Sequence, residues 1–250
     1  MTSSTNESPV MLVTGAARGI GAAIARRAAA GGYRVVVNFA ASEAAADALV
    51  TELGSSTIAI RADVAEEAEV ESMFTALDQR FGRLDVMVNN AGVAGGYGPL
   101  ATVTAPMMQR LFAVNVTGAF LCAREAARRM RTDLGGRGGS IVNISSKAAV
   151  LGGPNEWVHY AATKGAIDTM TTGLAKELAA FGVRVNAVRP GLIDSDFHDI
   201  APHGRVDRMA PMIPMLRAGS GAEVAEAVLW LASPAASYVT GAFLDVAGGR

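Results

Sequence analysis

A tyrosine and a lysine four residues apart form the pattern in this sequence that is most suited to chemistry. Tyr160 and Lys164 bound the segment Tyr-Ala-Ala-Thr-Lys, and on a helix two residues at this spacing lie on the same face. A nearby ammonium group favours the ionised form of a phenol, so we expect Lys164 to lower the pKa of Tyr160. A phenol that exchanges its proton near neutral pH is a general acid or base. The same spacing also occurs in ordinary surface pairs, so the rest of the sequence must show whether this pair is catalytic.

The context of this pair is a regular alternation of strand and helix patterns along the chain. Short apolar runs predict strands at 10–14, 33–38, 57–61, 84–89, 140–144, 183–188 and 242–246, and alanine-rich amphipathic stretches predict helices at 20–30, 42–53, 66–81, 106–114, 116–131, 158–180 and 222–232. This order predicts an α/β fold, a doubly wound parallel sheet with helices on both faces. We expect a disordered tail at 1–8 and a single domain at 9–250. Residues 194–214, which contain three prolines, are expected to form a substrate lobe.

The composition of the chain excludes several classes of function. The net charge of its 250 residues is −1 and the pI is about 6.3, which argues against nucleic acid or an anionic membrane as a partner. A single cysteine, Cys122, excludes an intramolecular disulfide and is expected in the core. No apolar run is long enough to span a bilayer, and the N-terminus lacks the pattern of a signal peptide. We therefore expect a cytoplasmic protein, and no histidine spacing predicts a metal site.

A glycine-rich stretch, Thr14-Gly-Ala-Ala-Arg-Gly-Ile-Gly21, follows the first predicted strand. Glycines at such a turn let the backbone approach a pyrophosphate, and the N-terminus of the next helix offers free N–H groups. The spacing differs from the G-x-G-x-x-G fingerprint, so that motif is absent. Its position after the first strand favours dinucleotide binding over the alternative, glycines needed only for tight packing of strand on helix.

Polar residues also follow the third and fourth predicted strands. Asp63-Val64 ends one strand, and Asn89-Asn-Ala-Gly92 ends the other. Ligands of open α/β sheets bind at the carboxyl ends of the strands, so both segments are candidate cofactor contacts. Turn and helix-cap chemistry is the alternative for either segment taken alone.

Taken together, these segments resemble the short-chain dehydrogenase/reductase family over essentially the whole chain. The resemblance rests on the glycine turn, Asn89-Asn-Ala-Gly92, Asn115, Ser146, Tyr160-x-x-x-Lys164 and Arg189-Pro-Gly191, in this order. It implies a Rossmann-like fold, an adenine contact at Asp63, and Gly191 to Ile193 against the nicotinamide carboxamide. The cofactor-binding residues that we expect are Gly15, Ala17, Arg18, Gly19, Ile20, Asn38, Ser42, Asp63, Val64, Asn89, Ala91, Gly92, Tyr160, Lys164, Pro190, Gly191 and Ile193.

The resemblance also implies a role for each of four catalytic residues. Tyr160 exchanges a proton with the substrate oxygen, Lys164 holds the nicotinamide ribose, and Ser146 polarises the substrate carbonyl. Asn115 holds a water that links Lys164 to solvent. Adjacent residues on a strand point to opposite faces, so only one of Ser145 and Ser146 can readily face the site. Ser146 matches the family better if the loop before Tyr160 is one residue longer than usual, and Ser145 then supports it from behind.

The predicted function is hydride transfer between NADP(H) and a carbonyl or secondary alcohol, in a homotetramer. NADP(H) is preferred to NAD(H) because no acid ends the second strand, while Arg18 can reach a 2′-phosphate and Asn38 and Ser42 can add hydrogen bonds to it. A 3-oxoacyl-carrier-protein reductase is an alternative, with the arginines at 128–131 as a docking patch for the acidic carrier or simply as a solvated face. Alternatives from other classes are a non-catalytic NADP-sensing protein and a structural subunit.

Overall fold

Seven parallel strands form one sheet in the computed structural model, which describes residues 8–250 apart from the side chain of His198. The strands are β1 (Val10–Val13), β2 (Arg34–Phe39), β3 (Thr57–Arg61), β4 (Val86–Asn89), β5 (Gly139–Ile144), β6 (Val183–Pro190) and β7 (Phe243–Val246). Their order in the sheet is β3-β2-β1-β4-β5-β6-β7, and every neighbouring pair is parallel. The predicted fold class is confirmed. Of the predicted tail at 1–8, only Ser8 is among the described residues.

Helices cover both faces of this sheet. They are α1 (Gly19–Ala30), α2 (Glu43–Leu53), α3 (Glu67–Phe81), α4 (Ala105–Phe112), α5 (Gly118–Met130), α6 (Ala148–Leu151), α7 (Val158–Leu178), α8 (Arg205–Met209) and α9 (Gly221–Ala232). The sequence did not predict α6 or α8, which are only four and five residues long. No helix within residues 8–250 is both long and apolar enough to cross a membrane.

The core lies in two layers because successive residues of a strand point to opposite faces. On β1, Met11 and Val13 belong to the layer under α1, α2 and α9, and Val10 and Leu12 belong to the layer under α3, α5 and α7. All four are fully buried. Cys122 is also fully buried, as the sequence predicted.

The order of the strands fixes where a ligand can bind. The chain runs from β1 outward to β3, and then crosses back so that β4 pairs with the other edge of β1. The loops after β1 and β4 therefore leave the sheet in opposite directions and open a crevice at its carboxyl edge. The glycine turn and the segment after Asn89 both lie at this crevice.

Candidate active site

One cleft of about 800 Å³ runs along the carboxyl edge of the sheet. It brings together residues that are up to 178 positions apart in the chain, from Gly15 to Ile193. The predicted residues that line it are Gly15, Ala17, Arg18, Gly19, Ile20, Asn38, Ser42, Asp63, Val64, Ala91, Gly92, Ser146, Tyr160, Lys164, Pro190, Gly191 and Ile193. Asn89 and Asn115, which were also predicted, do not line it.

The glycine turn combines tight packing with an exposed backbone. Gly15 and Gly19 have positive φ angles of 59° and 56°, which favour glycine. A Cβ on Gly15 would lie 2.9 Å from the Cα of Ala91, and one on Gly21 would lie 2.6 Å from Nδ2 of Asn90. Packing alone therefore requires these two glycines. A Cβ on Gly19 would instead point to the cleft side, 3.4 Å from Oδ1 of Asp196.

The first turn of α1 is suited to a phosphate group. Its N-cap, Arg18, is extended and makes no capping hydrogen bond with its side chain, and the turn contains no acidic residue. The N–H groups and the positive end of the helix dipole at this point can therefore serve a bound anion. A pyrophosphate fits this cradle, since Gly19 keeps the cleft side free of a side chain.

Asn38 holds the glycine turn in place. Its Oδ1 accepts a hydrogen bond from the N–H of Gly15 at 3.1 Å, and its Nδ2 donates to the carbonyls of Ile60 at 3.3 Å and Ala62 at 3.0 Å. The side chain is 1% exposed. These bonds correct the expectation that the Asn38 amide binds a 2′-phosphate, because its donors and its acceptor already serve β3 and the turn.

Asn89 also faces the interior rather than the cleft. Its Nδ2 donates to Oδ1 of Asn143 at 2.9 Å and to the carbonyl of Ala119 at 3.2 Å. The side-chain amide of Asn89 thus serves the protein interior, and the predicted contact of its segment with the cofactor stays a prediction. The next residue, Asn90, lines the cleft and donates to the carbonyls of Thr14 and Gly15. The sequence alone could not separate the two asparagines, since alternation along the strand end required a register that only the fold defines.

Asp63 is held at the cleft by an arginine that the sequence analysis missed. Its carboxylate accepts from the N–H of Ala65 at 3.0 Å and from Nη2 of Arg110 at 2.7 Å. Burial acts to raise the pKa of Asp63, but these hydrogen bonds and the charge of Arg110 outweigh it and lower the pKa. Asp63 is therefore ionised and able to accept a hydrogen bond. Arg110 is 47 residues away in the sequence, and no local pattern marks it.

Tyr160 lies buried at the other end of the cleft with a raised pKa. Burial raises the pKa of its phenol to about 12, and hydrogen bonding to Ser146 acts in the opposite direction. This corrects the expectation that Lys164 sets a low pKa, because the cost of burying a phenolate is here the largest effect. Near neutral pH the phenol holds its proton, which is the state a proton donor needs.

Lys164 lies on the same face of α7, with Nζ 5.6 Å from the centre of the Tyr160 ring. Nζ donates to the carbonyl of Ile144 at 2.7 Å, and the residue is 4% exposed. Burial lowers the pKa of Lys164 to about 8, while the charge of Asp168 acts to raise it. A Cβ on Gly92 would lie 3.7 Å from Nζ, so this glycine keeps the approach to the ammonium group open.

Asn115 lies beside this pair, in a π-helical turn, Ala113–Thr117, that joins α4 to α5. Single π turns in helices are frequent at functional sites. Oδ1 of Asn115 accepts from the N–H of Val93 at 2.8 Å, and Nδ2 donates to the carbonyl of Val93 and to Oγ1 of Thr163. The side chain thus fixes the loop after β4 to the helix that carries Tyr160. Its predicted role in holding a water stays a prediction.

The two adjacent serines, which directly follow β5, face different surroundings. Ser146 lines the cleft and bonds with Tyr160, and its Oγ accepts from the N–H of Ala148 at 3.1 Å. Ser145 is 2% exposed and donates to Oδ1 of Asp168 at 2.6 Å, behind the cleft. Ser146 therefore faces the cleft, and Ser145 lies behind it.

Aromatic side chains and one ion pair form the wall next to Tyr160. The ring of Phe197, from the predicted lobe, lies 5.3 Å from that of Tyr160 and 5.6 Å from that of Trp157. Arg205 donates to Oε2 of Glu156 at 2.6 Å and lies over the Trp157 ring at 4.5 Å. Phe197 and Arg205 lie in the predicted lobe at 194–214, but the sequence analysis singled out neither residue. They follow Tyr160 by 37 and 45 residues in the sequence, and no motif indicated that they contact the cleft.

Comparison with known proteins finds relatives along almost the whole chain. Residues 15–250 match a family described as enoyl-(acyl carrier protein) reductase. The uncharacterized oxidoreductase YgfF of Escherichia coli K12 is 49% identical over 245 residues, which cover 96% of this chain and 99% of the relative. The 3-oxoacyl-acyl-carrier-protein reductase FabG of Staphylococcus aureus is 39% identical over 241 residues, which cover 95% and 96%.

Two solved structures share the whole fold. A 3-ketoacyl-(acyl-carrier-protein) reductase from Brucella melitensis, complexed with NADH, superposes with a TM-score of 0.92 at 34% identity and 98% coverage of both chains. A blue fluorescent protein from a metagenomic library, in complex with NADPH, gives a TM-score of 0.89 at 38% identity and covers 96% of this chain and 97% of its own. With the cleft, the Tyr160–Lys164 pair and Ser146 in place, the chain belongs to the short-chain dehydrogenase/reductase family of NAD(P)-dependent oxidoreductases.

Proposed function

We propose that this protein reduces small carbonyl compounds with NADPH and oxidises the matching secondary alcohols with NADP. The observation that carries the proposal is the convergence of Ser146, Tyr160 and Lys164 at one end of a cleft whose other end is the glycine turn. The nicotinamide, when bound, supplies or accepts the hydride. The protein's own part is to hold the carbonyl, move the proton and exclude water.

The protonation state of Tyr160 suits the donation of a proton to a carbonyl oxygen. A phenol with a pKa of about 12 is protonated at neutral pH and can give its proton to the oxygen that gains negative charge. The hydroxyl of Ser146 lies beside it and can donate a second hydrogen bond to the same oxygen. The ammonium of Lys164, whose pKa is about 8, is mostly charged at pH 7 and adds a favourable field for the phenolate that remains.

The wall next to Tyr160 supports a compact, uncharged substrate. Trp157, Phe197, Leu151 and Met209 line this end of the cleft, and the charges of Glu156 and Arg205 are paired with each other. An apolar wall with few polar groups binds apolar or aromatic substituents. We propose residues 194–214, which supply Phe197 and Arg205, as the substrate lobe of a single domain at 9–250.

Arg18 supports the preference for NADP(H). The second strand ends in Asn38 and Phe39, so no carboxylate stands where it would repel a 2′-phosphate. Arg18 lines the cleft with a side chain that is 72% exposed and pairs with Asp196 at 3.1 Å. An exposed ion pair is weak, so a 2′-phosphate can replace Asp196 as the partner of the guanidinium.

The reduction of carrier-bound 3-oxoacyl groups is a second candidate, favoured by the named activities of two relatives. The arginines predicted as a docking patch are, however, already paired. Arg128 and Arg129 contact Glu125, Arg129 also contacts Asp78, and Arg131 contacts Asp133. A patch neutralised by its own carboxylates attracts an acidic carrier poorly, which favours free carbonyls.

The test is a panel of substrates with both cofactors, followed by the absorbance of the reduced nicotinamide. We expect small aliphatic and aromatic ketones or aldehydes to be reduced, with a higher kcat/KM for NADPH than for NADH. A marked preference for acetoacetyl-acyl-carrier protein over every free ketone would favour the second candidate. NADPH binding without turnover of any compound would favour a sensor instead.

We also propose a homotetramer. The outer faces of α5 and α7 carry small residues, and a Cβ on Gly165 or Gly173 of α7 would meet no atom within 4 Å. Phe120, on α5, is 46% exposed, and β7 is an edge strand of the sheet. Such surfaces suit close packing across two-fold axes. Light scattering at micromolar concentration should give the mass of four chains, and a monomer mass would refute the assembly.

A further inference from the structure

The carboxylate of Asp168 lies behind the residues proposed as catalytic and has no role in the proposed reaction. Asp168 follows Lys164 by one turn of α7, and its side chain is 14% exposed. Its Oδ1 accepts from Oγ of Ser145 at 2.6 Å, and its Oδ2 accepts from Nε and Nη2 of Arg189 at 3.0 and 2.8 Å. One side chain thus joins α7 to the ends of β5 and β6.

The first consequence of this position is electrostatic. The ammonium of Lys164 is almost completely buried, and it donates a hydrogen bond to the neutral carbonyl of Ile144. A buried cation needs a nearby negative charge to remain charged. The carboxylate of Asp168 is the charge that acts on Lys164 against the effect of burial.

The second consequence is geometric. Ser145 bonds to Asp168 and lies 3.3 Å from the carbonyl of Lys164, so the end of β5 is fixed against the catalytic helix. Because neighbouring residues on an extended segment point in opposite directions, fixing Ser145 on the inner side directs Ser146 to the cleft.

We propose that Asp168 is a positioning residue, which keeps Lys164 in its ammonium form and holds Ser146 toward the substrate. The part that concerns Ser146 rests on the proposed function. The part that concerns Lys164 does not, because it can be read from the binding of the cofactor alone.

The charges around Asp168 determine in which direction each variant should shift the protonation of Lys164. Arg189, from β6, pairs with Asp168, stacks on Phe243 at 4.1 Å and lies 4.0 Å from Asp245 of β7. Asp245 in turn pairs with Lys147 at 2.7 Å. On α7 itself, Tyr160 and Lys164 are the neighbouring titratable groups. Arg189 partly neutralises Asp168, so the two side chains should move the protonation of Lys164 in opposite directions.

The experiment compares Asp168→Asn with Arg189→Met over the neutral and alkaline range. In the wild type, Lys164 loses its proton as the pH rises through about 8, so NADPH affinity and kcat/KM for ketone reduction should both fall above that pH. Asp168→Asn removes the stabilising charge and should move this alkaline limb to lower pH by about one unit. Arg189→Met leaves the carboxylate uncompensated and should move the limb to higher pH.

NADPH affinity is measured by the quenching of protein fluorescence, so the result does not depend on turnover. Asp245→Asn is the matched control, since it removes a carboxylate from the far end of the same set of ion pairs and should leave the limb in place. Ser145→Ala keeps the charge and should lower kcat without moving the limb. If one of the two main variants does not fold, the other still tests the direction of the shift.

Three results would overturn the proposal. They are an unmoved limb in Asp168→Asn, a limb that moves in the same direction in Asp168→Asn and Arg189→Met, and an equal movement in Asp245→Asn. A wild type that binds NADPH with the expected pH dependence but reduces no carbonyl would refute the proposed function and leave the role of Asp168 toward Lys164 intact.

Discussion

The two ends of the cleft use buried polar side chains in different ways. At the glycine turn, the amides of Asn38 and Asn90 are turned to the protein and hold backbone segments together. At the other end, Tyr160 and Lys164 are turned to the cleft, and burial shifts the pKa of each away from its ordinary value. One end shapes a backbone for a ligand, and the other adjusts the protonation of side chains.

This difference follows from what each end must do. A pyrophosphate is recognised by N–H groups of the backbone, whose positions depend on the turn and not on the side chains that face the ligand. A proton transfer depends on the pKa of a particular atom and on its distance from the substrate. Substitutions at the glycine-turn end should therefore change stability and cofactor binding, whereas substitutions at the catalytic end should change rate.

The largest effect should come from Tyr160→Phe, which removes the proton donor and keeps the ring. General acid catalysis contributes about 10²–10⁴-fold, roughly 3–5 kcal/mol, so kcat should fall by that order. The Kd for NADPH should change little, because the ring still fills its site. Tyr97→Phe is the control, since that hydroxyl bonds to Glu156 at 3.2 Å and should leave kcat within a few fold. Near-normal turnover in Tyr160→Phe would show that the mechanism is wrong.

Next in size is the difference between the two serines. Ser146→Ala removes a hydrogen bond to the oxygen on which charge develops, and we expect kcat to fall by about 10²-fold. Ser145→Ala should lower kcat by less than about tenfold, because its partner is Asp168 and not the substrate. Steady-state rates of ketone reduction at saturating NADPH measure both. A larger loss in Ser145→Ala would reverse the assignment.

At the glycine-turn end, Asn38→Ala should act on stability. It leaves the N–H of Gly15 and the carbonyls of Ile60 and Ala62 without their side-chain partner, at a cost of about 1–3 kcal/mol. Thermal unfolding should show a Tm lower by several degrees, with weaker NADPH binding. Ser42→Ala, at the rim of the same cleft, should change stability by less than about 0.5 kcal/mol. Equal Tm values for the two variants would contradict the structural role of Asn38.

The smallest effect should be that of Arg18→Gln on the choice of cofactor. Because the side chain is exposed, its bond to a 2′-phosphate is worth about 1 kcal/mol, so NADPH affinity should fall about five- to tenfold. NADH affinity should be unchanged. Arg26→Gln, on the same helix but paired with Glu52, should alter neither. A parallel loss of both affinities in Arg18→Gln would mean that the arginine does not distinguish the cofactors.

The sequence determined the alternation of strands and helices along the chain, the location of the glycine turn and the position of Tyr160 and Lys164 on one helix. These features depend on local periodicity, which a single chain displays directly. β3 was predicted with its actual bounds, Thr57–Arg61. The sequence also predicted that only one of Ser145 and Ser146 faces the site, because neighbouring side chains of an extended backbone point in opposite directions.

Only the tertiary structure decided which polar groups face the cleft and how strongly they bind protons. Asn38 and Asn89 face inward because their partners, the glycine turn, β3 and Asn143, lie on other elements. The pKa of Tyr160 rises because the fold buries its phenol, an effect that outweighs the hydrogen bond with Ser146. Desolvation and long-range pairing depend on atoms brought together from the whole chain, and these become defined only when the chain is folded.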